Sequence, residues 1–567
     1  MRLPASERRR WALVVAAGAL VLLALDAWWI ATYRHGFPLN IDEAAYVAIG
    51  LNDHFALRDG GLHGWWEAIQ SQTPNAPLLP ALASLLYTVK AGVVEGFAVL
   101  AGFMVLLGFA IYGIGERLCG PRLGALAALV AMAAPGVLAF AHAYVFALPA
   151  AALLACAVYA LLRSEGLQRR RWALACGAAL GLMLLARTMT VAFVPGVLAA
   201  GAIALAARER EPRALLRGAL NLGLLLLAAA VVAALWYWRN LQPVLDYLTD
   251  YGYGGKSAEF GAQHGLFSWS RWTAVAEKMT QADLLLPLAA LVLAGLLAGL
   301  AAAVGRVRRA GDRRTALLRL ARGDAFAVAV VALAGYAALT SSRNAGFGFT
   351  LPLSVLLLPL AAIALRSFRA AAVPAIAALA LIAAVNLAAS SSLSNELSRD
   401  RRLAVPGLAD LSWLNGLNYA LADIRTQVAG PQARFVERDR GWLRADKLLA
   451  AWILREEGPP VVAFASRSHV LNTNTVGLAA VLQFQHTIPM AQLLAEEGDS
   501  VAAYERRIVD PRYGQPKILV TMSSEAGDYE PRVTQSHAET AARRLGFSLR
   551  RTMTLPDGRH LRVWTLS

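Results

Sequence analysis

Residues 38–46 read Pro-Leu-Asn-Ile-Asp-Glu-Ala-Ala-Tyr, and the rest of the chain is organised around them. They lie in Phe37–Pro80, a long polar stretch between the first two hydrophobic runs. Asn40 with Glu43 three residues later predicts a helix start with a capping box, and acids are favoured in the first helical turn. On this interpretation Asp42 and Glu43 only stabilise a helix N-terminus.

The position of these acids suggests a second interpretation. The stretch directly follows a hydrophobic run, so a base here would lie at a membrane surface and could meet a lipid-borne substrate. Adjacent residues of a helix point about 100° apart, so the two acids cannot share one role. If Asp42 faces a cleft together with Tyr46 one turn later, Glu43 faces elsewhere, and Asp42 is the first catalytic candidate.

The composition identifies a membrane protein. Of 567 residues, 57% are hydrophobic, and the mean hydropathy is +0.48. Runs of about 20 apolar residues, each long enough to cross a hydrocarbon core of about 30 Å, recur up to residue 389. The predicted spans are Trp11–Thr32, Val93–Gly115, Leu123–Phe140, Phe146–Leu162, Trp172–Thr188, Ala192–Ala207, Gly218–Trp238, Leu284–Val304, Ala325–Thr340, Phe349–Leu365 and Ala370–Ala389.

These eleven spans divide the chain. Residues 1–389 are predicted to form a multi-pass transmembrane domain with an outer loop at 33–92, and residues 390–567 a separate polar domain. The first span lacks a convincing cleavage site and is expected to remain as an anchor.

The positive charge of the chain reports its topology. The net charge is +16, but the arginines cluster in alternate short connections, which is the positive-inside pattern. We therefore expect a cytoplasmic N-terminus, an extracytoplasmic C-terminal domain, contact with anionic membrane lipids and no nucleic-acid partner. The three cysteines lie in or beside apolar runs, so neither a disulfide framework nor a metal-spacing motif is indicated.

Several candidate residues fall on the predicted outer face. Arg187 and Arg343 are arginines that the positive-inside rule does not explain; each could snorkel or cap a helix, or bind a phosphate through a planar fork. His142 and Tyr144 occupy a short turn on the same face. Asp26 is an ionisable residue inside the first span.

The stretch Arg239–Asp283 is predicted to be a long outer loop rich in aromatic residues. Its aromatics form either an interfacial belt or a wall that stacks on a sugar. Arg239, Lys256, His264 and Tyr253 are the candidate ligands there, and the glycines around Tyr253 are only a weak loop signal.

The polar domain is predicted to be α/β. Helical periodicity is suggested for Leu411–Ala429 and Asp446–Glu457, and a terminal hairpin for Leu549–Leu566. The predicted strands are Val461–Ala465, Val481–His486 and Ile518–Met522.

The membrane part resembles the GT-C fold glycosyltransferases of the protein O-mannosyltransferase and aminoarabinose-transferase superfamily. An acidic motif in the first outer loop is followed by a proline-containing return, here residues 41–46 and 73–78. Residues 236–243 are similar to the family's aromatic-Arg-Asn passage, and Arg343 with Leu351-Pro352-Leu353 resembles its late Arg and Leu-Pro turn. Where many relatives carry a further acid this chain has His142, and the usual basic-Pro-Pro return is replaced by residues 73–77.

The resemblance implies an α-helical polytopic GT-C protein in a bacterial-type plasma membrane. It implies transfer of a sugar from a polyprenyl-phosphate donor to a lipid, polysaccharide or protein acceptor on the outer face, with inversion expected from a single direct displacement. No cofactor or metal is expected, although distant acids could join Asp42 to hold a divalent ion. A transporter or lipid flippase and a non-catalytic envelope assembly subunit are the alternatives.

On this resemblance the candidate residues take three roles. Asp42 and Glu43 are the catalytic candidates. The candidates for binding the donor phosphate are Arg187, Arg239, Lys256, His264 and Arg343, and those for contacting the acceptor or the sugar are Tyr46, Asn75, His142, Tyr144 and Tyr253.

Overall fold

The structure is a computed structural model. It describes residues 5–34, 38–71, 73–208, 211–254, 257, 265–344, 346, 348–391, 400–404, 410–416, 436–455, 460–493, 498–528 and 532–566.

The part of the chain up to residue 390 is a bundle of α-helices. Apolar runs fold as helices here because a bilayer offers the backbone no other hydrogen-bond partners. The helices are α1 (Ala5–Tyr33), α2 (Ile41–Ile69), α3 (Leu78–Leu86), α4 (Phe97–Cys119), α5 (Pro121–Met132), α6 (Pro135–Ala141), α7 (Ala147–Arg163), α8 (Arg170–Ala186), α9 (Val194–Arg208), α10 (Pro212–Gly252), α11 (Trp269–Lys278), α12 (Leu285–Arg309), α13 (Arg313–Ala321), α14 (Asp324–Thr340), α15 (Leu351–Ala361), α16 (Ile363–Ser367) and α17 (Arg369–Ser390).

Each predicted span coincides with a helix or a helix pair, but length alone supports fewer than eleven crossings. Among the described residues, six helices are long and apolar enough to cross a membrane, or up to eight if two bent pairs are each one span. The pairs are α5 with α6, bent by 53°, and α13 with α14, bent by 69°. The other three predicted spans correspond to α7, α8 and α15–α16, which are shorter. The chain is therefore a multi-pass membrane protein, and the count of eleven stays a prediction.

The predicted outer loop Arg239–Asp283 is partly helical, which corrects the expectation from sequence. Helix α10 continues to Gly252 through Pro243 and has 41 residues, so it is about 60 Å long and extends well past a bilayer core. Close packing fixes it against α8, because a Cβ at Gly177 would lie 2.1 Å from the carbonyl oxygen of Leu225.

Helix α2 begins where the sequence predicts. Asn40 caps it, and a capping box with Glu43 is present. The helix kinks at Gly61, whose φ of 60° lies in the region that favours glycine.

The C-terminal part is an α/β domain. Its helices are α18 (Val436–Leu454), α19 (Thr473–Phe484), α20 (Val501–Val509) and α21 (Gln535–Arg544). Its strands are β1 (Arg401–Leu403), β2 (Leu411–Leu414), β3 (Val462–Phe464), β4 (Met490–Gln492), β5 (Ile518–Met522), β6 (Phe547–Thr554) and β7 (His560–Leu566). The main sheet has the order β4-β3-β5-β7-β6, parallel from β4 to β5 and antiparallel beyond.

Two predictions in this domain were wrong. The predicted helix Leu411–Ala429 begins as strand β2, which pairs with β1, and residues 417–429 lie outside the described part. The predicted strand Val481–His486 is the end of helix α19, because Asn472 and Thr475 form a capping box that starts a helix at Thr473. The strands near 462 and 518 and the terminal hairpin are confirmed.

The C-terminal domain packs on helix α2. The Asn474 side-chain amide donates to the carbonyl oxygen of Ile41 at 3.0 Å. Farther along α2, Arg58 donates to Gln485 at 2.9 Å.

Candidate active site

A mixed polar and apolar cavity opens between the start of α2, the ends of α8 and α10, and the segment before α15. Its volume, including the open mouth, is about 870 Å³. It is lined by Asp42, Tyr46, Pro74, Asn75, Ala76, Val145, Phe146, Ala147, Arg187, Thr188, Met189, Tyr247, Asn344, Gly346 and Phe349.

Asp42 lies in the first turn of α2 and faces this cavity. Its side chain is accessible from the cavity, yet it lies deep enough in the protein for desolvation to act on the carboxylate. That desolvation raises the pKa of Asp42 above its usual range, the Arg187 guanidinium partly offsets the rise, Glu43 adds to it, and Arg467 lowers it. Asp42 is thus a carboxylate tuned toward proton uptake in a cavity that also contains a cation.

Glu43 has a structural role, not the catalytic role expected from the sequence. It is fully buried, and its Oε1 accepts from Arg34 Nη2 at 2.6 Å and from the Tyr144 backbone N–H at 2.9 Å. Its Oε2 accepts from the Asn40 N–H at 3.0 Å. The angle between adjacent helical residues turns Glu43 into the protein while Asp42 faces the cavity.

Arg187 directly follows α8, where the chain becomes extended, and its side chain lines the cavity. Its guanidinium carbon lies 3.9 Å from the centre of the Phe349 ring, a cation–π arrangement that orients the planar fork. The neighbouring Gly348 has a φ of +73°, and a Cβ there would lie 2.5 Å from Ala147 and 3.3 Å from Arg187. Only glycine lets the backbone pass this close to the arginine.

Tyr46 and Asn75 also line the cavity, and their contact with a sugar or an acceptor stays a prediction. The ring of Tyr46 lies 3.9 Å from that of Phe146, between centroids. The Asn75 N–H donates to Thr73 at 3.2 Å, and the Thr73 N–H donates to Asn240 Oδ1 at 2.9 Å. The buried Asn240 of α10 therefore positions the proline-containing return.

The sequence interpretation missed Asn344 and Phe349 as cavity residues. The Oδ1 of Asn344 accepts the Gly346 N–H at 2.7 Å, which shapes the turn that closes one side of the cavity. An asparagine two residues before a glycine is a turn signal that could have identified it.

His142 and Tyr144 do not reach the cavity, contrary to prediction. His142 is buried, lies 3.2 Å from Asp26 between Nε2 and Oδ1, and stacks on Trp29 with ring centroids 3.8 Å apart. Tyr144 is buried, and burial raises its pKa well above the usual value. Both residues connect helices inside the protein because their polar groups find buried partners.

Three other predicted ligands also lie away from the cavity lining. Arg239 pairs with Glu67 at 2.9 Å, and its guanidinium lies over Trp238. Tyr253 is exposed after the end of α10. The Arg343 side chain is exposed, and its N–H donates to the Gly252 carbonyl at 2.8 Å. Lys256 and His264 lie outside the described residues.

Among the residues that the structure describes, no group of three His, Cys, Asp or Glu side chains could hold a metal ion. The expectation of a reaction without a cofactor stays a prediction.

The fold and the site define a class of protein: a multi-pass helical membrane protein with a carboxylate and an arginine in one cavity and a C-terminal sheet-containing domain. A family model described as dolichyl-phosphate-mannose-protein mannosyltransferase matches residues 71–238. No curated protein matches the chain in sequence.

Two groups of solved structures are similar to the whole chain. ArnT from Cupriavidus metallidurans bound to undecaprenyl phosphate has a TM-score of 0.53 at 16% identity, covering 98% of this chain and 98% of that one. The Archaeoglobus fulgidus oligosaccharyltransferase AglB in complex with an inhibitory peptide and a dolichol-phosphate has a TM-score of 0.50 at 14% identity, covering 98% and 74%. At these identities the likeness establishes the fold, and the resemblance to GT-C glycosyltransferases is confirmed.

Proposed function

We propose that the protein is a glycosyltransferase that moves a sugar from a polyprenyl-phosphate donor to a hydroxyl group of an envelope lipid, polysaccharide or protein. The observation that supports this most is that Asp42 and Arg187 line the same cavity of a GT-C fold. The ArnT structure was solved with undecaprenyl phosphate and the AglB structure with a dolichol-phosphate, which fits a donor of this class.

In the proposed reaction the acceptor oxygen attacks the anomeric carbon of the sugar. Its O–H bond breaks and the proton passes to the Asp42 carboxylate, while a new C–O bond forms. The bond between the anomeric carbon and the phosphate oxygen breaks, and its electron pair leaves with the lipid phosphate. A single displacement of this kind inverts the anomeric centre.

Asp42 suits the role of the base. A general base works best with a pKa near the operating pH, and burial moves the pKa of Asp42 upward from its usual range. The carboxylate is open to the cavity, so an acceptor hydroxyl can reach it.

Arg187 suits the role of a phosphate ligand. A planar guanidinium can donate two parallel hydrogen bonds to a phosphate, and it stabilises the negative charge that develops as the lipid phosphate leaves. Phe349 limits the orientations of this fork. The product phosphate stays attached to its lipid, which accounts for a site at the membrane surface of a bacterial-type plasma membrane.

The test is the Asp42→Asn variant, with Asp59→Asn as its control. Asp59 is an exposed aspartate on the same helix, paired with Arg58. Loss of a general base is expected to reduce turnover of a polyprenyl-phosphate sugar by the purified protein about 10²-fold to 10⁴-fold. The control is expected to keep normal turnover.

Asn40, and not Asp42, caps α2, so Asp42→Asn should leave thermal stability nearly unchanged. Wild-type turnover by a well-folded Asp42→Asn protein would refute the proposed role. Mass spectrometry of envelope glycans with and without the protein would identify the sugar and the acceptor.

A further inference from the structure

A buried acid, Asp283, lies at an irregular join between α11 and α12. Residues Met279–Leu284 form a π-helical turn, and Leu285 after it has a φ of 58°, a left-handed conformation that leucine rarely adopts. Such turns and strained residues are frequent at functional sites, where the surrounding structure holds them in place. The irregular join determines where Asp283 lies relative to the neighbouring helices.

The Asp283 carboxyl group contacts the first turn of α15. The Ser354 hydroxyl donates to Asp283 Oδ2 at 2.7 Å, and the Thr350 carbonyl, 3.2 Å from the same hydroxyl, is its alternative acceptor. Asp283 and Ser354 are both fully buried. Because a hydrogen bond is stronger in a low-dielectric interior than in water, this contact ties the start of α15 to the π-helical turn.

Helix α6 packs against the same point. A Cβ at Gly136 would lie 2.7 Å from the Asp283 Cα and 3.0 Å from the Leu351 side chain. Three elements therefore meet at Asp283: α6, the π-helical turn and the start of α15. An ionisable residue buried among membrane helices is costly and is often functional. Asp283 lies behind the cavity wall and does not line the cavity, so it can act on the site only through other residues.

The residues directly before α15 form part of the cavity wall. Phe349 lines the cavity, and its ring centre lies 3.9 Å from the guanidinium carbon of Arg187. Ser354 follows five residues later, about 8 Å farther along the chain at the rise of a helix. A shift of the first turn of α15 therefore moves the ring on which the Arg187 guanidinium lies.

We propose that Asp283 is a positioning residue for the site. It holds the first turn of α15 in place, so that Phe349 keeps the planar fork of Arg187 directed at the phosphate of the lipid-linked donor. This inference rests on the proposed function. A residue with this role changes the affinity for the donor without touching it.

The first experiment measures the binding of undecaprenyl phosphate, without a sugar, to the full-length protein in detergent. Asp283→Ala removes the acceptor for Ser354 and is expected to raise the Kd about 10-fold. Asp283→Asn should raise it less, because the amide oxygen can still accept from Ser354. The matched control is Asp53→Ala, which removes a buried aspartate of α2 and should leave the Kd unchanged.

A double-mutant cycle with Phe349→Leu tests the route. If Asp283 acts through the Phe349 ring, adding Asp283→Ala to Phe349→Leu should cause little further loss of affinity, because the two side chains are energetically coupled. A merely structural role would make the two losses multiply. Full multiplication of the two effects in folded proteins would overturn the inference.

A second readout needs neither donor nor turnover. Phenylglyoxal modifies arginine side chains, and the rate at which it modifies Arg187 can be followed by peptide mass spectrometry. Asp283→Ala should make Arg187 react faster than in the wild type, because its guanidinium is no longer held against the ring. If the wild type binds no undecaprenyl phosphate, the proposed function fails, and this rate still decides whether Asp283 holds Arg187.

An unchanged Kd together with an unchanged modification rate in a folded Asp283→Ala protein would show that Asp283 does not position Arg187. If Asp283→Ala does not fold, Ser354→Ala takes its place, since it removes the same hydrogen bond from the other side. Unchanged values in that variant would equally overturn the inference.

Discussion

The ion pair between Arg34 and Glu43 predicts a large loss of stability in Glu43→Gln. The two groups are 2.6 Å apart with both side chains fully buried. Removing one charge from a buried pair costs about 3–5 kcal/mol, because the other charge remains in a low-dielectric interior. The amide NH2 would also face either the Arg34 guanidinium and the Tyr144 N–H, or the Asn40 N–H, and this donor–donor contact costs about 1 kcal/mol more.

Little in the surroundings of Arg34 can compensate for that loss. Among the described residues, its Nε and Nη1 atoms have no hydrogen-bond partner. Its guanidinium carbon lies 5.3 Å from the centre of the Phe97 ring. A loss of about 4–6 kcal/mol is a large part of the 5–15 kcal/mol that stabilises an ordinary domain.

The assay is the fraction of monodisperse protein that remains in detergent after heating, with Asp42→Asn as the neighbouring control. Glu43→Gln should lower the thermal midpoint markedly, and Asp42→Asn should not. Replacing Arg34 by Met in the Glu43→Gln background removes the unpaired charge and should recover much of the loss. An unchanged midpoint in Glu43→Gln would refute the structural role of this pair.

Three further outcomes are expected. Arg187→Ala should weaken binding of a polyprenyl phosphate and Arg187→Lys should restore it only in part, because lysine lacks the planar fork; Arg239→Ala, outside the cavity, should bind normally in the same assay. Asp53 is buried on α2, and burial raises its pKa to about 7, so its neutral form is favoured in the folded state. Between the unfolded pKa of 3.8 and the folded value, the stability of the protein therefore falls as pH rises. Asp53→Asn removes this effect and should raise the thermal midpoint at pH 8 more than at pH 5. An equal effect at both pH values would contradict this. For topology, a cysteine at exposed Ser548 should react with an impermeant maleimide from outside and one at exposed Gly311 should not; the reverse labelling would invert the predicted orientation.

Local patterns predicted the parts of the fold that depend on neighbours in sequence. The apolar runs located the membrane helices, and the capping pattern of Asn40 and Glu43 located the start of α2. Helical geometry also separated Asp42 from Glu43, since adjacent side chains must diverge. It could not show that Glu43 is buried, because its partner Arg34 belongs to the preceding helix.

The wrong predictions concern segments whose structure depends on contacts between residues that are distant in sequence. The apolar run at residues 481–486 is compatible with a strand or a buried helix, and the choice depended on the cap at Asn472. Arg343 and Asn344 are adjacent in one turn, and only the packed structure shows which of them lines the cavity.

The hydrogen bond between Asn474 and Ile41 joins residues 433 positions apart in the chain. At a synthesis rate of about 5–20 residues per second, the start of α2 leaves the ribosome roughly 20–90 s before the segment that covers it. Throughout that interval the membrane helices can assemble around Asp42 and Arg187 without the C-terminal domain. The C-terminal domain can therefore dock on the start of α2 only late in translation, after the membrane helices have been made.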